Sequence, residues 1–358
     1  MSARRVAWLL VAGLAVIAFA IWLSSRRHLE RDLTAGALVL PGLEHNINTV
    51  TTVTLRKSDG TKATLQKDVS VWRVAERGWP ADVGKVRKLL LDLGALNIVE
   101  ENTRLPTNYP QLGVEDISSP KATGTRVDVA APSHSWSIII GKSSGGKSGY
   151  VRVATAPQTL LAAPLLMVDS DPKAWLDRVL LDVPVARVRE VEEHPASGAA
   201  FTVSRDKKEQ NDFAVSPVPK GRELTSPAAA EPITTALGSL TLEDVRKGGR
   251  TADPPAARAT FRTFDGLELE LAGRKDGTHS LIAIAARSTA KETTAEAEQL
   301  ATRVAGWEFE IPDYKYNSIF TPLEELLRKP PQPPKKPPGA PKKTGAAAQP
   351  GTDEVPSK

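Results

Sequence analysis

An uninterrupted apolar segment near the start of the chain constrains the architecture more than any other feature. Residues 6–23 contain no charged side chain, and a pair of arginines stands on either side of them. As an α-helix this segment would be about 27 Å long, close to the roughly 30 Å hydrocarbon layer of a bilayer. Trp8 and Trp22 lie near its two ends, where indole rings prefer the headgroup region. The sequence therefore predicts an N-terminal membrane anchor in residues 1–28, which contacts lipid through residues 6–23.

Two other interpretations of this segment remain open. A cleaved secretory signal would end at a small-residue site, which Ala18, Phe19 and Ala20 resemble, but residues 21–23 continue the apolar run beyond it. A buried core helix would also be apolar on all faces. The flanking arginines are balanced and do not decide the orientation, whereas the five-residue head favours export of the body. We therefore expect a single-pass protein of the inner (cytoplasmic) membrane with a periplasmic body.

Composition excludes several kinds of site. The 358 residues contain no cysteine, which excludes disulfides, thiolate zinc sites and cysteine nucleophiles. The net charge of +5 resides at the ends: the first 28 residues carry four arginines and no acid, and residues 328–358 carry seven basic and two acidic side chains. Because the middle of the chain is slightly acidic, we expect no nucleic-acid partner.

The C-terminal residues 328–358 form a proline- and lysine-rich tail with almost no bulky apolar side chain. Prolines at this density prevent helix and sheet, so the composition is typical of an extended, disordered arm. Such an arm is explained by solubility alone, or by electrostatic attachment to an anionic lipid or cell-wall polymer.

Between anchor and tail, one order of elements occurs twice and predicts two repeated units. The first unit, residues 45–165, begins with a hairpin that turns at Asp59-Gly60. A helix begins after Asp82, a suitable N-cap, and carries leucines at helical spacing. The strands of this unit are expected at residues 51–57, 62–67, 70–74, 126–130, 135–140 and 150–154.

The second unit, residues 185–290, repeats this order and has its helix at residues 232–242. A C-terminal extension, residues 291–327, contains one further strand at residues 307–311. The expected strands of the second unit are residues 187–192, 200–205, 212–215, 258–263, 267–272 and 280–285. The predicted fold class is α+β: an N-terminal transmembrane helix, two repeated units of antiparallel sheet plus one helix, and a disordered tail.

The linker between the units, residues 166–184, is predicted to contain a short helix that begins at Asp171-Pro172. On that helix Trp175, Val179 and Leu180 would share one face. The linker lacks the glycine and the terminal glutamate of a calcium loop. Three aspartates are therefore assigned to capping and solvation: Asp169, Asp171 and Asp177.

One segment matches the phosphate-loop pattern G-x-x-x-x-G-K-[ST], from Gly141 to Ser148. That loop requires a helix that begins at its lysine, because the helix amides and dipole complete the anion site. After Lys147, however, Gly149 disfavours a helix and Tyr150 favours a strand. A hairpin turn is the preferred interpretation, and a nucleotide loop stays open as the alternative.

Other catalytic patterns are not apparent. Five histidines are scattered without helical pairing: His28, His45, His134, His194 and His279. The sequence has no G-x-S-x-G nucleophile elbow. Adjacent carboxylates such as Glu100-Glu101 and Glu192-Glu193 are expected at element ends, exposed to solvent. We therefore predict no catalytic, cofactor-binding or metal-binding residue and no enzymatic activity.

Several structural motifs carry a family resemblance: Trp72-x-Val74, Pro80-Ala81-Asp82, Tyr109, Leu112-Gly113-Val114, Ile140-Gly141 and Gly149-Tyr150-Val151. Over residues 45–290, and best in the first unit, the chain resembles a bacterial family of domains of unknown function, family 4340. The resemblance implies a domain that is often duplicated behind one membrane helix, in proteins encoded beside ABC transporters of the gliding-motility auxiliary type. It provides no active-site residues.

These observations lead to one expected function and two alternatives. We expect a non-enzymatic, membrane-anchored envelope protein that serves as an accessory or assembly factor, with protein partners in an ABC-transporter or gliding-motility-type complex. The first alternative is a nucleotide-binding protein that uses the loop from Gly141 to Ser148. The second is a scaffold that binds anionic cell-wall polymer through residues 328–358.

Overall fold

Two large antiparallel sheets form most of the chain that the computed structural model describes, which comprises residues 35–248 and 257–328. The predicted membrane helix, residues 6–23, lies outside the described residues, as does the predicted tail apart from Arg328. Within the described residues, no helix is both long enough and apolar enough to cross a membrane. The described body is mostly sheet with few helices, in agreement with the α+β class.

The first sheet has nine strands: β1 (Thr52–Arg56), β2 (Lys62–Asp68), β3 (Val71–Val74), β4 (Trp79–Pro80), β5 (Asn97–Glu101), β6 (Thr125–Ala131), β7 (His134–Gly145), β8 (Ser148–Val153) and β9 (Thr159–Ala163). They pair in the order β4-β3-β2-β1-β6-β7-β8-β9-β5. Alternate side chains enter the core, as in β1, where Val53 and Leu55 are buried opposite Leu65 and Ala63 of β2. This pairing confirms the first predicted hairpin.

Three helices accompany this sheet: α1 (Leu43–Asn46), α2 (Val83–Gly94) and α3 (Tyr109–Leu112). The predicted cap of α2 is confirmed, because the Lys85 amide donates to Asp82 Oδ1 at 3.0 Å. One face of α2 is buried at helical spacing: Val86, Leu89, Leu90 and Leu93. The predicted leucine helix thus closes the core on one face of the sheet.

The second sheet has eight strands: β11 (Val188–His194), β12 (Phe201–Ser204), β13 (Ala214–Ser216), β15 (Asp244–Lys247), β16 (Ala257–Thr263), β17 (Leu267–Asp276), β18 (His279–Ser288) and β19 (Trp307–Glu310). A separate two-stranded sheet pairs β10 (Val179–Leu181) with β14 (Leu240–Thr241). The helices of this half are α4 (Glu231–Thr234), α5 (Thr294–Val304), α6 (Asp313–Ile319) and α7 (Leu323–Leu326).

Eight strands take the same order in both large sheets. The first sheet reads β3-β2-β1-β6-β7-β8-β9-β5, and the second reads β13-β12-β11-β16-β17-β18-β19-β15. In both, the strand at the far edge, β5 or β15, precedes in the chain the four strands that separate it from the first three. The sheets differ in that β4 extends only the first one, and α5 separates β18 from β19 only in the second.

The helix predicted at residues 232–242 is wrong in extent. Only α4 is helical there, and the chain then turns into β14. Two residues prevent a helix from continuing to residue 242: Gly238 weakens a helix, and Ser239 has a positive φ of 49°. Leu240 then pairs with Leu181 of β10, so this apolar side chain is buried in a strand instead of a helix.

The predicted linker helix begins at Pro172 behind its Asp171 cap, as expected, but its predicted extent is wrong. Pro172–Trp175 forms a 3-10 turn, and Val179 belongs to β10, so the apolar residues of the linker do not share a helical face. The reason is tertiary: Leu176 bridges to Ala81 and the Asp177 amide donates to the Pro80 carbonyl at 2.9 Å, which holds the chain extended beside β4.

The second sheet extends beyond the predicted end of its unit at residue 290. The strand expected at residues 307–311 is present as β19. It pairs with β15 and β18, so it is part of the second sheet and not of a separate extension.

A continuous hydrophobic core joins the two sheets. Trp79 of β4 is 1% exposed and packs edge-on against Trp307, at 5.5 Å between ring centroids, and against Phe309, at 5.1 Å. The Arg303 guanidinium lies over the Trp79 ring at 5.4 Å and pairs with Asp177 at 3.2 Å. The two halves therefore share buried side chains at their junction.

Candidate functional site

The segment after β9 presents a highly exposed apolar side chain, Met167, at the end of the first half. Leu165 packs on β8 at Gly149, where a Cβ would lie 2.9 Å from Leu165 Cδ1. Leu166 is buried, whereas Met167 is 86% exposed. Because neighbouring leucines hold the backbone against the sheet, the Met167 side chain is presented to solvent from a fixed position.

Grooves lie on both sides of this segment. The first, about 370 Å³ in volume, separates it from α2. The second, about 420 Å³, separates it from the ends of β1, β6 and β7. Both grooves are lined by Leu165, Leu166, Met167 and Asp169. We call residues 165–169 together with these two grooves the Met167 surface.

Hydrogen bonds make the walls of the first groove rigid. Trp175 Nε1 donates to the Asp169 carbonyl at 2.7 Å, and Lys85 Nζ donates to the Ala174 carbonyl at 2.9 Å. Lys88 pairs with Asp92 at 2.6 Å on the rim. An exposed apolar centre with a charged rim is the usual anatomy of a protein-binding surface.

The phosphate-loop match forms a hairpin, as predicted. β7 and β8 pair on either side of a turn in which Gly145 and Gly146 have positive φ of 97° and 68°. Lys142 Nζ donates to the Pro110 and Gln111 carbonyls at 3.2 and 3.1 Å. A Cβ on Gly141 would collide with the Leu112 carbonyl oxygen. Close packing therefore explains the glycine at position 141, and the two carbonyl groups explain Lys142, the first lysine of the motif.

The loop and the second groove overlap only in part. Gly141 and Ser143 line that groove together with Lys57, whereas Lys147 does not. The residue after Lys147 begins β8, so the expected strand stands where a phosphate loop needs a helix.

A cluster of charged side chains lies at the junction of the two halves. Arg77 pairs with Asp244 at 2.7 Å, and Lys173 approaches the same carboxylate at 3.2 Å. His279 Nδ1 lies 2.8 Å from Glu310. Burial alone would raise the pKa of Asp244, but hydrogen bonds from Arg77 and the Val245 amide hold that pKa below its usual range. Asp244 thus stays ionised and links the first half to β15.

The aspartates of the linker cap turns, as predicted. Asp171 Oδ1 accepts from the Lys173 amide at 2.9 Å, and Asp169 Oδ1 accepts from the Asp171 amide at 2.8 Å. Across residues 35–248 and 257–328, no group of three or more histidine or acidic side chains is placed to hold a metal ion.

One predicted surface residue is buried. Glu193 of β11 is 0% exposed, and neither carboxylate oxygen has a hydrogen-bond partner among the described residues. Burial raises the pKa of Glu193 well above its ordinary value. The sequence contains one signal of this burial, because Glu193 shares a strand face with the apolar Val191. The adjacent carboxylate of Glu192 instead suggested a strand end exposed to solvent.

Two buried arginines were not anticipated from the sequence. Arg205 donates to the carbonyls of Val188, Val185, Ala186, Lys208 and Gln210 and lies over the rings of Phe213 and Phe264. Arg152 donates to three carbonyls and lies 4.9 Å from the Tyr109 ring centroid. Both guanidinium groups fasten loops, because carbonyl groups from neighbouring loops satisfy their donors.

Comparison with known proteins identifies a family but no function. A family model described as "Domain of unknown function (DUF4340)" matches residues 72–260. The matched region runs continuously from β3 to β16, so strands of both large sheets lie within it. No curated protein and no solved structure matches the chain. Since the family model covers just over half of the sequence, the chain belongs to the DUF4340 family.

Proposed function

We propose that this chain is a non-enzymatic envelope protein, held on the inner membrane by residues 6–23, that binds a protein partner through the Met167 surface. The partner would belong to an ABC-transporter or gliding-motility-type complex in the same membrane, as the family resemblance implies. The observation that carries the binding role is the 86% exposed Met167 between two grooves, the first of which has hydrogen-bonded walls. Methionine suits such a surface because its unbranched side chain adapts to a partner.

The partner and the surface are tested together by purification of the full chain from native membranes in detergent. Met167→Glu places a charge at the centre of the surface, and Tyr314→Glu is the matched control, because Tyr314 is 67% exposed on the second half. We expect wild type and the control to retain a transporter subunit, identified by mass spectrometry, and Met167→Glu to lose it. Equal retention by both variants would contradict the assignment of the surface.

The anchored, exported topology has its own test. A C-terminal reporter fusion that is active only outside the cytoplasm should be active, and the full chain should sediment with membranes. A reporter that is active only in the cytoplasm would overturn the export proposal. A mature protein that lacks its first two dozen residues and is soluble would overturn the anchor.

A nucleotide-binding role is the second candidate, because Lys57, Gly141 and Ser143 line one groove. Because Lys57 is the lysine that lines this groove, a nucleotide bound there should be lost in Lys57→Ala. A nucleotide held by the loop in the manner of a phosphate loop should instead be lost in Lys147→Ala, and neither loss is expected if the loop is only a hairpin. The polymer scaffold has a separate test, which is deletion of residues 328–358 with the anchor intact. We expect the shortened protein to stay in the envelope, and its loss from the envelope would favour a tail that binds an anionic polymer.

We further propose that the two halves arose by duplication of one unit. The shared order of eight strands supports this, together with the sequence similarity between the helix regions near residues 92–96 and 236–240. After duplication, the second copy would have lost its long helix and gained α5.

A further inference from the structure

The outer face of α2 is apolar and basic at the same time. Val83 and Leu91 are 53% and 48% exposed, and Arg87 lies between them at the four-residue spacing that aligns side chains along a helix. Lys88 is also exposed and lies beside this row. The opposite face is buried against the sheet, so these four side chains form the solvent side of the helix.

The charge of this face is positive. The helix carries Lys85, Arg87 and Lys88 against a single acid, Asp92. Lys88 pairs with Asp92, but the Arg87 side chain makes no hydrogen bond or ion pair within the part of the chain that the structure describes. Exposed apolar side chains between basic ones are typical of helices that lie on anionic lipid.

The chain enters the body beside the end of this helix. The Val39 amide donates to the Leu96 carbonyl, and the Ile98 amide donates to the Ala37 carbonyl, both at 2.8 Å. Residues 36–39 are therefore fastened to the segment that follows α2. The twelve residues 24–35 that separate them from the predicted membrane helix span at most about 40 Å when fully extended. The anchor thus restrains this end of the body to the vicinity of the bilayer.

We propose that the outer face of α2 rests on the anionic surface of the bilayer, with Val83 and Leu91 at the headgroup level, Arg87 paired with a lipid phosphate, and Lys88 shared between Asp92 and a phosphate. This inference rests on the proposed anchor. It assigns an orientation to the body, because the Met167 surface borders α2 and would then lie beside the membrane, where a subunit of a membrane complex can reach it.

The absence of cysteine allows a direct test with single labels on the full chain. Leu91→Cys carries a fluorophore on the proposed face, and Glu209→Cys, exposed in the second half, is the matched control. Each protein is reconstituted into phosphatidylcholine vesicles with or without phosphatidylglycerol, and each contains a trace of lipid with a nitroxide on its headgroup. We expect at least twofold stronger quenching at position 91 than at position 209, and only with phosphatidylglycerol.

Charge reversal separates electrostatic docking from mere proximity. Each basic side chain that is removed should lower the ratio of docked to undocked protein about fivefold. The double variant Arg87→Glu with Lys88→Glu should therefore abolish the excess quenching at position 91. High salt should have the same effect. Equal quenching at both positions, or quenching that ignores phosphatidylglycerol, would overturn the proposal.

Flotation of the vesicles tests the membrane anchor separately from the docking of α2. Protein that does not float with the vesicles would refute the anchor and, with it, the proposed function. Protein that floats but shows no excess quenching at position 91 would refute only the docking of α2. Circular dichroism of each labelled variant confirms that the body is folded.

Discussion

Glu193 offers the sharpest test of the core of the second half. Its side chain is 0% exposed and lacks any hydrogen-bond partner among the described residues, on a strand whose neighbours at this position are Phe201 and Ala259. Because burial raises its pKa, the folded chain holds a proton that the unfolded chain releases above about pH 4.3. Stability therefore falls by about 1.4 kcal/mol per pH unit from that value up to the folded pKa.

Glu193→Gln removes this dependence, since an amide does not titrate. The difference in unfolding free energy between the variant and wild type should grow in favour of the variant by about 1.4 kcal/mol per pH unit from about pH 4.3 up to the folded pKa of Glu193. Urea unfolding of the full chain in detergent, in steps of one pH unit, measures it. Glu298→Gln, on the exposed side of α5, is the control, and its unfolding free energy should change with pH as that of wild type does. Parallel curves for Glu193→Gln as well would refute the reasoning.

Three further substitutions test packing by the same unfolding measurement. Arg205→Lys keeps the charge but cannot satisfy five carbonyls, and should cost about 2–4 kcal/mol. Val69→Gly should stabilise the chain by about 1 kcal/mol, because Val69 has a positive φ of 51° and is 96% exposed. Trp79→Ala should cost about 3–5 kcal/mol and weaken both halves together, since Trp79 packs against Trp307 and Phe309.

Matched controls accompany these three variants. Arg287→Lys, at an exposed ion pair, should change stability little. Val71→Gly, in β3, should destabilise the chain slightly, because a glycine weakens a strand, whereas Val69→Gly should stabilise it. Tyr314→Ala should leave unfolding unchanged because Tyr314 is exposed. Two separate transitions in wild type would contradict the shared core at the junction.

Local interactions determined the elements that the sequence predicts correctly. Asp82 caps α2 because a short polar side chain can reach an amide three residues ahead. The turns at Gly60 and Gly146 follow from positive φ, which glycine adopts without strain. Strand alternation in β1 and the hairpin of β7 with β8 also depend on neighbours close in the chain.

Contacts between distant residues decided the rest. The strand pairs β5 with β9 and β15 with β19 join segments about sixty residues apart, and no local pattern specifies them. The linker is extended because Leu176 bridges to Ala81 and the Asp177 amide donates to Pro80 of β4. The second predicted helix gives way to β14 because Leu240 pairs with β10. Exposure of Met167 and burial of Glu193 follow from the same long-range packing. The sequence alone determined the caps, the glycine turns and the strands of the local hairpins, because these depend on neighbours in the chain. Only the tertiary structure determined strands such as β5, β10 and β14, and which side chains reach solvent, because these depend on distant partners.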